Sequence, residues 1–252
     1  MNSRTLKLAW GLPALAVATL LTVAPASPGV LPTSSEPSAA PVKGGVLPPG
    51  SRPYGKTYGQ WAVAYWQWAM SIPFATNPWA NDPTGAFAAI GQSGPVWFLG
   101  GSLGDSVTRD VTIPVGKAVL LPVHQWIFGA VAFDCDPSVP GVPCDVPTLQ
   151  AAAAAAALAV DLMEVTIDGR VIPNVERFRT LSPSEFSVTI PADNFPTHFG
   201  SPVPAGTYSP QVADGYYLIL TPLSVGQHTI ALHVDSTLGF SYDHLYNITV
   251  AP

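Results

Sequence analysis

The chain has 252 residues, 48% of them hydrophobic and only 10% charged, with a formal net charge of −6. This balance excludes a nucleic-acid surface, which needs clustered Lys and Arg to neutralise phosphates. Twenty-eight prolines and 22 glycines, set among abundant Val, Thr, Ile and Tyr, favour many short strands joined by turns.

In chain order, Arg4 and Lys7 precede an almost wholly apolar run over residues 8–23 and the small-x-small triplet Ala24-Pro25-Ala26. Together they predict a secretory signal peptide over residues 1–26. The run is short for a membrane anchor and contains Gly11 and Pro13, and no later segment has the roughly 18 consecutive apolar residues of a spanning helix. The expected product is secreted, periplasmic or bound to the cell envelope. Loss of Arg4 and Lys7 takes its net charge from −6 to −8.

Residues 27–53 are rich in Pro, Ser, Ala and Gly and read as a flexible tether or loosely packed arm. One β domain over residues 54–252 follows. Its first segment, YGKTYGQWAVAYWQWAMSIP, gathers Tyr54, Tyr58, Trp61, Tyr65, Trp66 and Trp68. Trp61, Tyr65, Trp68 and Ile72 step by four, three and four, which predicts a helix over residues 57–72 with Gln60 and Gln67 on its outer face and Pro73 as the stop. Trp66 falls about 120° from that stripe, the position most open to solvent or a ligand.

Turn chemistry over residues 77–85 leads into alternating or apolar runs over residues 95–100, 107–114 and 118–128, with Pro114-Val115-Gly116-Lys117 as a turn between two of them. Cys135 and Cys144, nine residues apart in DCDPSVPGVPCD, predict a disulfide clamping a Pro-rich loop, because their spacing fits no zinc pattern. Such a bridge contributes about 2 to 3 kcal/mol. Seven consecutive alanines then predict a scaffold helix over residues 148–160, with Pro147 at its start. Asp168-Gly169 marks a tight hairpin within residues 163–172, and strands are expected over residues 186–190, 216–221, 227–234 and 245–250. The fold class is mainly β: a two-sheet antiparallel, jelly-roll-like sandwich carrying an aromatic helix and an inserted Ala-rich helix.

No nucleophile elbow, phosphate loop or His-Glu-x-x-His is present, so no reaction class follows from a local motif. The weak catalytic candidates are Asp82, Asp214, His124 and His228, an acid-base set only if the fold converges them. Asp110 and Asp193 read as turn caps. His233 and Asp235 share the outer face of their strand but are too few to hold a metal. Neither a metal nor another cofactor is expected. Trp66, Trp79 and Trp97 are candidates for stacking on a sugar, set against the ordinary role of such rings in a core. Arg109 and Lys117 stand out because basic residues are scarce; a buried ion pair with an Asp is the alternative to an anion site.

Tyr54-Gly55, Tyr58, Trp61, Tyr65-Trp66 and Trp68, then Asn77-Pro78, Asp82, Thr84-Gly85 and residues 92–99 (QSGPVWFL), followed by Arg109, the turn from Pro114 to Lys117, Asp214-Gly215-Tyr216-Tyr217, Pro222-Leu223, Gly226 and His228-Thr229-Ile230, resemble a group of exported bacterial and archaeal proteins of unassigned function. The resemblance spans most of the chain from Tyr54 onward. The chain departs from the group at Tyr65, where Trp is usual, and at His124-Gln125, where Asn is commoner. The leading expectation is a secreted or envelope-associated protein that binds a carbohydrate or another extracellular ligand. The alternatives are a secreted hydrolase using Asp and His, and a structural envelope component.

Overall fold

The computed structural model describes residues 45–131 and 144–252. The leader, the segment 27–44 and Cys135, and with it the expected Cys135–Cys144 bridge, lie outside the described residues. Helix α1 (Tyr58–Ser71) is followed by β1 (Val96–Phe98), β2 (Val107–Pro114), β3 (Ala118–Gly129), α2 (Val146–Leu158), β4 (Leu162–Ile167), β5 (Arg170–Val171), β6 (Arg179–Leu181), β7 (Phe186–Ile190), α3 (Phe195–His198), β8 (Gly206–Leu220), β9 (Gly226–Asp235) and β10 (Ser241–Ala251).

The protein is mainly β, with two five-stranded sheets. One runs β1-β3-β8-β6 with β7 also on β8, and the other runs β2-β10-β9-β4-β5. Side chains from both sheets meet in one core that includes Leu120, Tyr217, Ile230 and Tyr246. The strictly antiparallel jelly roll expected from the sequence gives way to mixed sheets, because β1 runs parallel to β3 and β2 parallel to β10. Each parallel neighbour arrives by a long excursion, which a hairpin reading of successive runs does not anticipate. Strand β8 is the spine: residues 211–220 are all buried, with Tyr217 touching α1 and Val212 touching α2. The sequence expectation began too late, at residue 216, where the unbroken apolar run starts, because Gln211, Asp214 and Gly215 interrupt the apolar pattern of a buried strand before it.

Helix α1 forms where the aromatic stripe predicts it. Thr57 accepts from the Gln60 amide while the Gln60 side chain accepts from the Thr57 amide, a reciprocal capping box. Gln60 and Gln67 are exposed as expected, but the buried arc is wider than one stripe and takes in Trp66 and Met70. The helix sits against β6, β7 and β8. Gly59 permits this approach, since a Cβ there would lie 2.7 Å from the Leu181 carbonyl oxygen. The Ala-rich α2 starts at an Asp145 cap and lays Leu149, Ala153 and Ala156 on Phe128 and Val212.

The arm over residues 27–53 joins the fold before Tyr54: Val46 bridges Leu220, and the Leu47 amide donates to Ile219. Tyr58 in turn donates to the Leu47 carbonyl at 2.6 Å. Among the described residues no helix is long and apolar enough to cross a membrane.

Removing the Thr57 hydroxyl leaves the Gln60 amide without its cap. Thr57→Ala is expected to cost about 1 kcal/mol in urea unfolding; an unchanged midpoint would show that the capping box contributes nothing.

Candidate functional site

Arg109 on β2 is the most deeply buried of the described Lys and Arg residues, 3% exposed. Its guanidinium donates to the carbonyls of Asp82 and Gly100. Tyr246 on β10 donates to the same Gly100 carbonyl at 2.7 Å, and the Tyr65 hydroxyl accepts from the Gly101 amide at 3.1 Å. The buried ion pair expected for Arg109 is absent: among the described residues no carboxylate lies within ion-pair distance of it. The Asp82 carboxylate is occupied by the amides of Gly85 and Phe87 at 2.8 and 3.0 Å. The hydrogen bonds of Arg109 and of the Asp82 carboxylate thus go to loop backbone.

Beside this node Ser102 Oγ lies 2.9 Å from His244 Nε2, and His244 Nδ1 lies 3.2 Å from the Tyr246 hydroxyl. The sequence expectation missed this pair because it began the last strand at residue 245. Extending the period-two alternation back through Tyr246 places Tyr242 and His244 on the same inner face. The spacing is that of a nucleophile and its base, but the electrostatics oppose the reaction. Burial first, and the Arg109 guanidinium after it, lower the His244 pKa to about 4. A serine hydrolase needs an imidazolium in its transition state, held by a carboxylate on the second ring nitrogen. Here that nitrogen meets a neutral phenol, next to a positive charge. Ser102 also has a structural engagement, 2.8 Å from the Asp105 carbonyl oxygen.

The four acid-base candidates do not form one cleft. His124 is 2% exposed and sits under α2. Trp126 donates its indole N–H to His124 Nε2 at 3.0 Å, which leaves Nδ1 to donate to Tyr242 at 3.3 Å. Burial lowers the His124 pKa to about 4, against a smaller opposing effect of the Ala156 carbonyl. Asp214 shares a face of the neighbouring strand but forms a two-bond ion pair with Arg179 at 3.1 and 2.6 Å. Burial raises its pKa and outweighs Arg179. His228 lies in the other sheet, 2.7 Å from Asp168 in the Asp-Gly hairpin turn. Burial there pulls its pKa down, yet the Asp168 and Ser224 hydrogen bonds prevail and the pKa is raised. His233 lies on the outer face with Asp235 and Asp243 at its two ring nitrogens, 3.2 and 2.9 Å away. The Asp243 and Asp235 hydrogen bonds raise its pKa. With a carboxylate on each nitrogen the ring is a cation clamp, and no metal-holding cluster occurs among the described residues.

The ligand candidates divide. Trp66 is buried, contrary to its off-stripe position: its indole donates to Tyr217 at 3.0 Å and its ring meets Trp79 edge-on at 5.2 Å. Trp79 is buried between Trp66 and Phe195. Trp97 is as buried as Trp79, at 6% exposed, but together with Lys117 it lines a groove of about 350 Å³, with Ala89, Gln92, Ser93 and Pro114. The wall is fixed from several sides. Gln92 donates to Ala88 and Phe98 and accepts from the Phe98 amide, and Trp68 of α1 donates to the Ile90 carbonyl at 3.0 Å. Lys117 donates to the Gly94 carbonyl. The buried indole N–H of Trp97 has no hydrogen-bond partner.

No protein-family model matches the chain, and no curated protein matches it. Among solved structures, the structure of PbICP-C in complex with falcipain-2 aligns over 63% of this chain and 100% of that one, at 11% identity and a TM-score of 0.23. That similarity is too low to place the two chains in one fold.

The histidines set a stability profile with a maximum. His228 and His233, whose folded pKa values are raised, contribute stability that is fully present below their unfolded value of about 6.5 and lost as the pH rises through the folded values. His124 and His244, held neutral to about pH 4, act in the opposite sense: the unfolded chain binds their protons first as the pH falls from 6.5. Stability measured by urea unfolding is expected to peak near pH 6.5 and to fall toward pH 4, by at most about 3 kcal/mol for each buried ring. His244→Gln should flatten the acid limb, and an unchanged limb would remove His244 from it.

Proposed function

We propose that this is an exported protein, secreted or retained at the cell envelope, that binds a saccharide in the groove beside Trp97. The observation that carries the proposal is the meeting of Trp97 and Lys117, 20 positions apart in sequence but lining one groove, on a wall whose backbone is held by Gln92 and Trp68. Saccharides are bound by one apolar ring face together with a few fixed polar groups, and binding is cheaper when those groups are ordered beforehand. Trp97, Val96, Pro114 and Ala89 supply the apolar part, and Lys117 and Ser93 the polar part. Export, suggested by residues 1–26, and membership of the exported group, suggested by motifs across most of the chain from Tyr54 onward, belong to the same proposal. A binding role is favoured over hydrolysis because the buried histidines are electrostatically unsuited to act as bases.

The test is a screen of the mature chain against glycans and cell-wall fractions, repeated with Trp97→Phe. This change keeps a ring and removes a buried N–H that has no acceptor, but it also takes volume out of a side chain that is 6% exposed, so the cavity offsets the gain and a thermal melt confirms that the variant is folded. Binding to at least one glycan, with affinity altered at least several-fold by Trp97→Phe, is expected. Failure of every glycan to bind, or binding indifferent to both Trp97→Phe and Lys117→Met, would place the function elsewhere.

A further inference from the structure

We infer that the groove selects an acidic saccharide and holds its anionic group on Lys117, an inference that rests on the saccharide reading above. The step comes from counting which polar groups in the groove are still free. The Gln92 amide is spent, with its nitrogen on the Ala88 and Phe98 carbonyls and its oxygen on the Phe98 amide. The Lys117 ammonium has three N–H donors, and its hydrogen bond to the Gly94 carbonyl uses one. Ser93 is exposed and forms no hydrogen bond among the described residues, and the Trp97 indole is a donor without an acceptor.

What remains open to a ligand is an ammonium and a hydroxyl, since the Trp97 indole N–H, though without an acceptor, is buried. No Asp or Glu lines the groove, although acidic residues outnumber basic ones 16 to 10 in the chain. Lys117 has no carboxylate within ion-pair distance among the described residues, as is true of every described Lys and Arg except Arg179, and it is the one that lines this groove. A neutral sugar can serve as acceptor to these donors but leaves the ammonium uncompensated as the groove dries. A carboxylate, sulfate or phosphate on the sugar supplies the charge-assisted bond that the site is short of. The shared chemistry is therefore an anionic oxygen group carried on a sugar ring, with the ring on the Trp97 and Pro114 side.

Calorimetric titration of the mature chain with trigalacturonic acid, a sulfated trisaccharide, neutral maltotriose and inorganic phosphate separates the possibilities. One or both charged sugars should bind at least about tenfold more tightly than maltotriose, which is about 1.4 kcal/mol. Lys117→Met should abolish that preference, Lys117→Arg should retain much of it, and added salt should weaken it. The trigalacturonate and sulfated arms distinguish a carboxylate from a sulfate. Maltotriose binding as tightly as the charged sugars, or Lys117→Met leaving the preference intact, would overturn the acidic class while the saccharide reading stands. Phosphate binding with no binding of either charged sugar would overturn both in favour of a simple anion site. No binding in any arm would also overturn both. A thermal melt of each variant confirms that it is folded.

Discussion

The guanidinium of Arg109 is the constraint on which the chain between α1 and β2 depends. Taking such a charge out of water costs several kcal/mol after relaxation unless its donors are met. It is met by the carbonyls of Asp82 and Gly100, two points in a long irregular segment that has little regular structure to hold it. Asp82 carries both functions at once: its carbonyl receives Arg109, and its carboxylate receives the amides of Gly85 and Phe87. Gly100 must lack a side chain, since a Cβ there would lie 2.0 Å from the Pro78 carbonyl oxygen. Tyr246 then brings β10 to the same carbonyl, so one buried charge fastens the pre-strand loops to the second sheet.

The groove is a consequence of that fastening. Residues 85–95 leave the Asp82 turn and return to β1, held midway by the Trp68 indole and by the Gln92 amide. Tyr65, Trp66 and Trp68 of α1 point inward onto Phe98, Tyr217 and one another at ring separations of 5.4 to 6.0 Å. The aromatic helix therefore contributes to the groove indirectly. It fixes the far side of the wall through Trp68, and its own rings are spent in the core.

Elements with one exposed face were legible in the sequence. Helix α1 and strands β2, β7 and β9 show the period of their burial, and the Asp-Gly turn lies at residues 168–169 as its chemistry requires. The parallel pairings were not legible, since direction is set by excursions of the chain and leaves no periodic mark. Trp66 was misjudged because a helix clasped between a sheet and a folded loop buries a wider arc than one packed on a flat surface. Of the site, Trp97 and Lys117 were visible as residues but their meeting was not: they are 20 positions apart and joined only by the parallel pairing of β1 with β3. The Ser102–His244 contact had a signal in the alternation of β10, cut off one residue early.

The distribution of the five histidines bears on chemistry more than any single contact does. His124 and His244 are buried and have a phenol as their nearest hydroxyl partner on Nδ1, and neither has a carboxylate within ion-pair distance among the described residues. His198, His228 and His233 each meet an Asp, and each of those Asp side chains is at least 39% exposed. A general base at neutral pH draws on both conditions together, desolvation to sharpen its field and a fixed anion to bring its pKa back toward 7. In this fold the two conditions are mostly allotted to different residues: His124 and His244 are buried without an anion, and His198 and His233 are paired but solvated, while His228, its side chain 10% exposed beside Asp168, combines them in part. Lys117 escapes that division: it is half-buried on a carbonyl, without a carboxylate within ion-pair distance, beside an apolar wall. The proposed binding of an acidic saccharide draws on that ammonium.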